Sequence, residues 1–272
     1  MKNLIFSTIA IFFSLTAKSY IGGTPPNGLI PAAISWRLGP AECSGTRISD
    51  HHIVTAAHCI LALGEPPQSL VNAFGFEVAG ELGIAKDSSR IQVNAVKIHF
   101  HPDVSSGAAA TDVAVIETEA MPKGPMVQIS SKPPKMGEKF LLGGYGCKGE
   151  GFADNGEMTI GFKTPVDLVS ELMIFGIKDF DGKSTSFGCP GDSGGGVFRL
   201  NSQNIYELVA VNQAIGITRE SFAKLTVDAK TGKITSYVQD PQPVVRVVAL
   251  ASGEGTIEKW LRSILPTEVF SK

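Results

Sequence analysis

Gly191-Asp192-Ser193-Gly194-Gly195 sets a serine among glycines, where the backbone can turn sharply and its N–H groups can face a substrate oxygen. Read literally, the run also fits G-x-S-x-G, the strand-to-helix elbow that exposes a nucleophilic serine in α/β-hydrolases. The histidines decide between the two readings. They are His51, His52, His58, His99 and His101, so none follows Ser193. The elbow fold needs its histidine after the serine in chain order and is therefore excluded, which leaves the order histidine, aspartate, serine.

The sequence around that serine reads as a turn-rich β protein. Glycine is abundant, at 30 of 272 residues, and only 18% of residues are charged, which favours short strands and tight turns over helical bundles or disorder. Lys and Arg number 24 against 26 Asp and Glu, a balance that argues against a nucleic-acid or polybasic membrane partner. Short β-branched or alternating runs recur at 47–49, 53–55, 91–98, 113–117, 140–142, 159–165, 196–200, 206–211 and 244–250, as in a sandwich or barrel. Residues 121–135, with four prolines and a glycine, have almost no strand or helix pattern and read as a linker between two similar halves. The helix pattern is terminal: Thr256 is placed to cap a run in which Ile257, Trp260, Leu261 and Ile264 share one face before Pro266. No heptad, low-complexity tract or fixed-period repeat interrupts this pattern.

Lys2 precedes an apolar run from Leu4 to Leu15, too short for a permanent span and followed by small residues, which reads as a signal peptide over 1–19. Cleavage after Ser19 satisfies the small-x-small rule better than cleavage after Ala17. Removal of Lys2 and Lys18 leaves 22 basic against 26 acidic residues, an exported, mildly acidic product without a stable membrane anchor. Export permits disulfides, and four cysteines allow three connectivities. A Cys43–Cys59 bridge encloses 15 residues, a closure of roughly 3 kcal/mol in the chain-entropy model, and leaves Cys147 with Cys189.

Three blocks now stand in order: Thr55-Ala56-Ala57-His58-Cys59, Thr111-Asp112-Val113-Ala114-Val115 and Gly191-Asp192-Ser193-Gly194-Gly195. Together they resemble the signature blocks of chymotrypsin-like (trypsin-fold) serine peptidases. The resemblance extends to Tyr20-Ile21-Gly22-Gly23, Cys43, His101-Pro102, Gly144-Tyr145-Gly146 and the closing helix with Trp260. It implies an all-β fold of two antiparallel six-stranded barrels over 20–120 and 136–254, then a C-terminal helix and tail over 255–272. It implies Ser193 as nucleophile, His58 as general base and acid, Asp112 as the residue that orients the imidazole, and the N–H groups of Gly191 and Ser193 as the oxyanion hole. Asp50 and Asp103 match the aspartate block less well. In this family the aspartate beside the nucleophile pairs with a newly released α-amino group, here Tyr20 with Asp192. No Arg or Lys immediately precedes Tyr20, so export itself would complete activation, an arrangement compatible with a bacterial secretion route.

The primary pocket departs from the family. Its base is Phe187, where trypsin-type enzymes carry an aspartate, its wall Ser-Trp-Gly reads Gln213-Ala214-Ile215, and Gln242 stands where a second wall glycine is common. Cleavage after Lys or Arg is not expected, and bulky walls favour small apolar side chains or none. Between Gly216 and Pro241 the chain is longer than is usual, with 224–227 and 233–237 flanking a turn, as in a hairpin near the pocket rim. Cys189 has no downstream cysteine, so the resemblance too pairs it with Cys147. His99-Phe100-His101 lacks an acidic or Cys partner at ligand spacing, and 77–87, where the family sometimes carries a calcium loop, has no convincing pattern, so no metal is assigned. No organic cofactor is required. The expected partners are a protein or peptide substrate and proteinaceous inhibitors. Two other readings stand beside the endopeptidase: a catalytically silent protein that kept the fold for binding, and an esterase on the same three residues.

Overall fold

The computed structural model describes residues 32–39, 41–64, 75–79, 90–106, 109–146, 158–169, 171–176, 191–217, 226–227, 234–236, 243–251 and 255–272. The segments carrying the leader, Tyr20, Cys147, Phe187, Cys189 and Gln242 lie outside these residues.

Six antiparallel strands close a barrel: β1 (Ala33–Leu38), β2 (Ala41–Arg47), β3 (His52–Thr55), β4 (Gly75–Ala79), β5 (Arg90–Phe100) and β6 (Ala114–Thr118), in the order β1-β2-β3-β6-β5-β4. Closure removes the open edges that strands this short would otherwise leave unpaired. Trp36 of β1, fully buried, anchors the interior, its indole N–H donating to Ser44 O at 3.0 Å and to Thr55 Oγ1 at 3.1 Å. The stretch β1 escapes period-two reading because five of its six residues are buried, so both faces are covered.

The second sheet holds β7 (Phe140–Gly144), β8 (Thr159–Lys163), β9 (Pro165–Val169), β10 (Leu172–Gly176), β11 (Gly196–Leu200), β12 (Tyr206–Ile217) and β15 (Pro243–Ala249), in the order β8-β7-β11-β12-β15-β10-β9. Seven strands are counted where six were expected, for a simple reason. The two edge strands β8 and β9 are successive halves of one stretch, 159–169, interrupted at Thr164, and Pro165, with no N–H to donate, starts the second half. The remaining pair, β13 (Thr226–Val227) with β14 (Ile234–Ser236), forms the antiparallel hairpin expected within 217–240.

Residues 121–135 form no strand but are firmly packed. Ile129 is fully buried, donates its N–H to Val269 O at 2.7 Å and accepts from Ser271 N at 2.8 Å, while Ser130 N donates to Leu208 O at 2.8 Å. The helix α1 (His58–Leu61) follows β3, and α2 (Thr256–Ile264) closes the chain. Thr256 does not cap α2 as its sequence suggests. Gly255 takes the N-cap position without a side-chain bond, and the buried Glu171 carboxylate accepts from Ile257 N at 3.0 Å and from the Thr256 hydroxyl at 3.2 Å. A carboxylate at this helix end meets both the free N–H groups and the positive end of the helix dipole.

Candidate active site

His58 stands at the start of α1, directly after the all-buried run Val54 to Ala57 that ends β3. Asp112 leaves a short 3-10 turn, Ala109–Thr111, just before β6, where Val113, Ala114 and Val115 are fully buried. Because β3 and β6 pair with Thr55 opposite Ala114, the two segments emerge side by side at one end of the barrel. Asp112 holds its neighbour twice: Oδ2 lies 2.7 Å from His58 Nδ1 and Oδ1 accepts the His58 backbone N–H at 2.8 Å. The second bond also satisfies one of the free N–H groups of α1. The Asp112 side chain is 12% exposed and the imidazole 44%, so the carboxylate is sheltered while the ring reaches solvent. Such an arrangement fixes the ring's orientation and favours a proton on Nδ1.

The serine loop lies against the same end of the barrel. Ser193 O accepts the Ser44 N–H at 2.9 Å, and the Gly195 N–H closes a tight turn onto Asp192 O at 2.9 Å. Gly194 takes φ +82°, and a Cβ there would sit 2.1 Å from Thr55 Oγ1 and 2.2 Å from Ser44 O, so the loop approaches β2 and β3 as closely as backbone allows. From the other side, the second sheet grips the turn through Asn212: its carbonyl accepts Gly194 N at 2.8 Å, its N–H donates to Gly195 O at 2.8 Å, and its side-chain amide donates to Gly143 O at 3.2 Å.

Asp192, 3% exposed, explains the glycines of Gly144-Tyr145-Gly146. Its Oδ1 accepts the Gly146 N–H at 2.8 Å, and a Cβ at Gly144 would stand 2.2 Å from that oxygen, one at Gly146 2.6 Å from the carboxyl carbon. The carboxylate fills the space that side chains there would need. Tyr145 between them is buried, its hydroxyl donating to Ala33 O at 3.2 Å, and burial pushes its pKa upward.

Of the expected pocket residues, Gln213 is the extra residue of a β-bulge, where the β12–β15 register shifts between Asn212 and Ala214. Its Oε1 is buried with no hydrogen-bond partner among the described residues. Ile215 lies on β12, which passes beside Val245 of β15. Cys43 and Cys59 are bridged, tying β2 to the residue after His58. The two histidines of His99-Phe100-His101 part company, because His101 lies past the end of β5. His99 Nε2 meets Glu117 Oε2 at 3.0 Å, and buried His101 packs edge-on against Trp260 at 5.5 Å. Among the described residues no cluster of three or more His, Cys, Asp or Glu is arranged to hold a metal ion. Ser44, Asn212 and Glu171 escape sequence reading. Asn212 left one signal, a polar residue directly after the apolar run 208–211.

The trypsin family model matches residues 21–238. Among curated proteins, the chain is 26% identical over 205 residues to "Trypsin Blo t 3" of Blomia tropicalis, covering 66% of this chain and 73% of that protein. It is 26% identical over 204 residues to "Trypsin Tyr p 3.0101" of Tyrophagus putrescentiae, covering 67% and 68%. With "Transmembrane protease serine 9" of Rattus norvegicus it shares 28% identity over 190 residues, 61% of this chain and 17% of that longer protein's length.

Proposed function

The chain belongs to the trypsin family of serine-type endopeptidases, and on that premise we propose that His58, Asp112 and Ser193 carry out peptide-bond hydrolysis through an acyl-enzyme. The observation that carries this reading is the double hold of Asp112 on His58, at 2.7 and 2.8 Å, at the barrel end to which the serine loop is bonded through Ser193 O. His58 removes the Ser193 hydroxyl proton as Oγ bonds to the scissile carbonyl carbon. The carbon–nitrogen bond then breaks, and His58 returns the proton to the leaving amine. Water repeats the sequence to release the acid. The N–H groups of Gly191 and Ser193 receive the developing oxyanion, each donor contributing roughly 3 to 4 kcal/mol in enzymes of this kind.

The finer parts of the proposal rest on sequence. Residues 1–19 direct export, 20–120 and 136–254 form the two β units joined by 121–135, and the released Tyr20 amino group pairs with Asp192. That pairing gains support from the burial of the Asp192 carboxylate, which needs compensation. Phe187, Gln213, Ile215 and Gln242 give a primary pocket that does not take Lys or Arg. No helix among the described residues is long and apolar enough to cross a membrane.

A fluorophosphonate probe tests the core of the proposal. The wild type takes the label and Ser193→Ala does not; a correctly folded wild type that stays unlabelled refutes it. Cleavage profiling on a peptide library tests the pocket, since cuts mainly after Lys or Arg would overturn that assignment while leaving the triad intact.

A further inference from the structure

Ser44 makes an unusual set of bonds for a small residue inside a barrel strand. It is 1% exposed, and every one of its polar groups is engaged. Its N–H donates to Ser193 O at 2.9 Å, and its carbonyl accepts from Trp36 Nε1 at 3.0 Å and Thr55 Oγ1 at 2.8 Å. Its hydroxyl donates to Gly191 O at 2.7 Å and accepts from Tyr145 N at 2.8 Å. Those two partners lie 147 and 101 residues along the chain from Ser44. One hydroxyl thus joins a strand of the barrel, the residue two before Ser193, and the turn whose glycine N–H holds Asp192.

We propose that Ser44 is the positioning residue of the oxyanion hole, a role that rests on the assignment of Gly191 and Ser193 as its donors. Gly191 has φ +96° and no side chain, so nothing intrinsic limits its rotation. With φ set, anchoring the Gly191 carbonyl sets ψ, and this fixes the direction of the Gly191 N–H relative to Ser193. The Ser44 N–H holds the carbonyl of Ser193 from the same strand, so both donor residues are referred to one rigid point. The hydroxyl donates once and accepts once, and an alanine can do neither.

The test is the second-order rate of Ser193 phosphorylation by diisopropyl fluorophosphate, with loss of fluoride, in purified wild type and Ser44→Ala, followed from mildly acidic to mildly alkaline pH. This small probe makes little demand on the specificity pocket. In Ser44→Ala the rate falls about tenfold, as expected when one neutral hydrogen-bond pair that orients a donor is lost. The midpoint of the pH profile, which reports the histidine base, stays where it is in the wild type, and the near-ultraviolet circular dichroism is unchanged. A folded Ser44→Ala that reacts at the wild-type rate overturns the proposal. So does a loss that comes with a displaced midpoint, which would place Ser44 on the proton-transfer path. If Ser44→Ala does not fold, Ser44→Cys, similar in shape but with a weakly bonding thiol, is read by the same criteria. An unlabelled wild type refutes the assignment of Ser193 itself, whereas a labelled wild type beside an unaffected variant refutes only the role of Ser44.

Discussion

Gly194→Ala should inactivate the protein, and a second glycine supplies the control that shows why. Both Gly194 and Gly137 have φ +82°, so alanine pays the same left-handed backbone penalty at each, about 1–2 kcal/mol. At Gly137 an added Cβ meets nothing within 4 Å. At Gly194 it lands 2.2 Å from Ser44 O and 3.0 Å from Ala56 N, both backbone atoms, and 2.1 Å from Thr55 Oγ1. That hydroxyl cannot swing aside without breaking its bonds to Ser44 O and the Trp36 indole. Reaching ordinary contact at 3.4 Å from Ser44 O therefore asks the loop to retreat by 1.2 Å. Such a retreat stretches the 2.9 Å bond from Ser44 N to Ser193 O beyond hydrogen-bonding range, adding about 1 kcal/mol to the strain. A misplacement of about 1 Å at a reacting group costs on the order of a hundredfold in rate. Thermal melting and the rate of reaction with diisopropyl fluorophosphate, measured on both variants, separate the effects. Gly137→Ala should melt lower at an unchanged rate, while Gly194→Ala should lose both. A Gly194→Ala protein that labels within about threefold of wild type would show that the loop is not set by its contact with β2 and β3.

Three further outcomes are expected. Replacing both Cys43 and Cys59 by alanine should remove about 3 kcal/mol of stability, read from urea unfolding, because the bridge closes a chain separation of 16 residues; an unchanged midpoint would show that the reduced chain is already held by β2 and α1. Glu171→Ala should cost about 1–2 kcal/mol and speed hydrogen exchange at Ile257, since it strips the only side-chain acceptor from the start of α2 among the described residues. Stability should fall in acid in two stages. Burial holds His52 below its usual 6.5 against the opposing pull of Glu117, so its contribution is present above 6.5 and lost as the pH falls through the folded value. The hydrogen bond from His99 holds Glu117 below 4.5, so its contribution is present above 4.5 and lost further into acid. His52→Gln should abolish the first stage and keep the second, and a variant whose unfolding midpoint follows the wild-type pH curve throughout would refute that assignment.

What could be read from sequence was what backbone sterics enforce locally. Gly144, Gly146 and Gly194 stand out as motif glycines, and each is a glycine because an Asp192 carboxylate or a β-strand occupies the place of its Cβ. Strands with a clean stop, such as β11 at Gly196–Leu200, were legible to the residue. The strand β1 was not, because burial on both faces erases alternation. Ser44 was invisible for a different reason: nothing nearby in the chain distinguishes it, since its meaning comes from Tyr145 and Gly191. The start of α2 misled in the same way, as a plausible local cap lost to Glu171, 85 residues distant.

The long-range contacts share a direction. The serine loop takes one set of bonds from the barrel, through Ser44, and another from the second sheet, through Asn212. Neither half alone could hold Gly191 to Ser193 in place. The segments that cross between the halves are correspondingly secured: Ile129 is bonded on both sides to the C-terminal tail, and Trp260 of α2 rests on His101 beside the barrel. A small opening of this seam would leave both β units folded while releasing the loop, because the strand ladders do not depend on it. Loss of labelling should therefore precede loss of sheet structure when the protein is warmed or treated with urea, with hydrogen exchange at Ser44 and Gly194 tracking the label and exchange within β11 and β12 tracking the sheet. Coincident loss of all these signals would instead make the seam part of one cooperative unit with the strands.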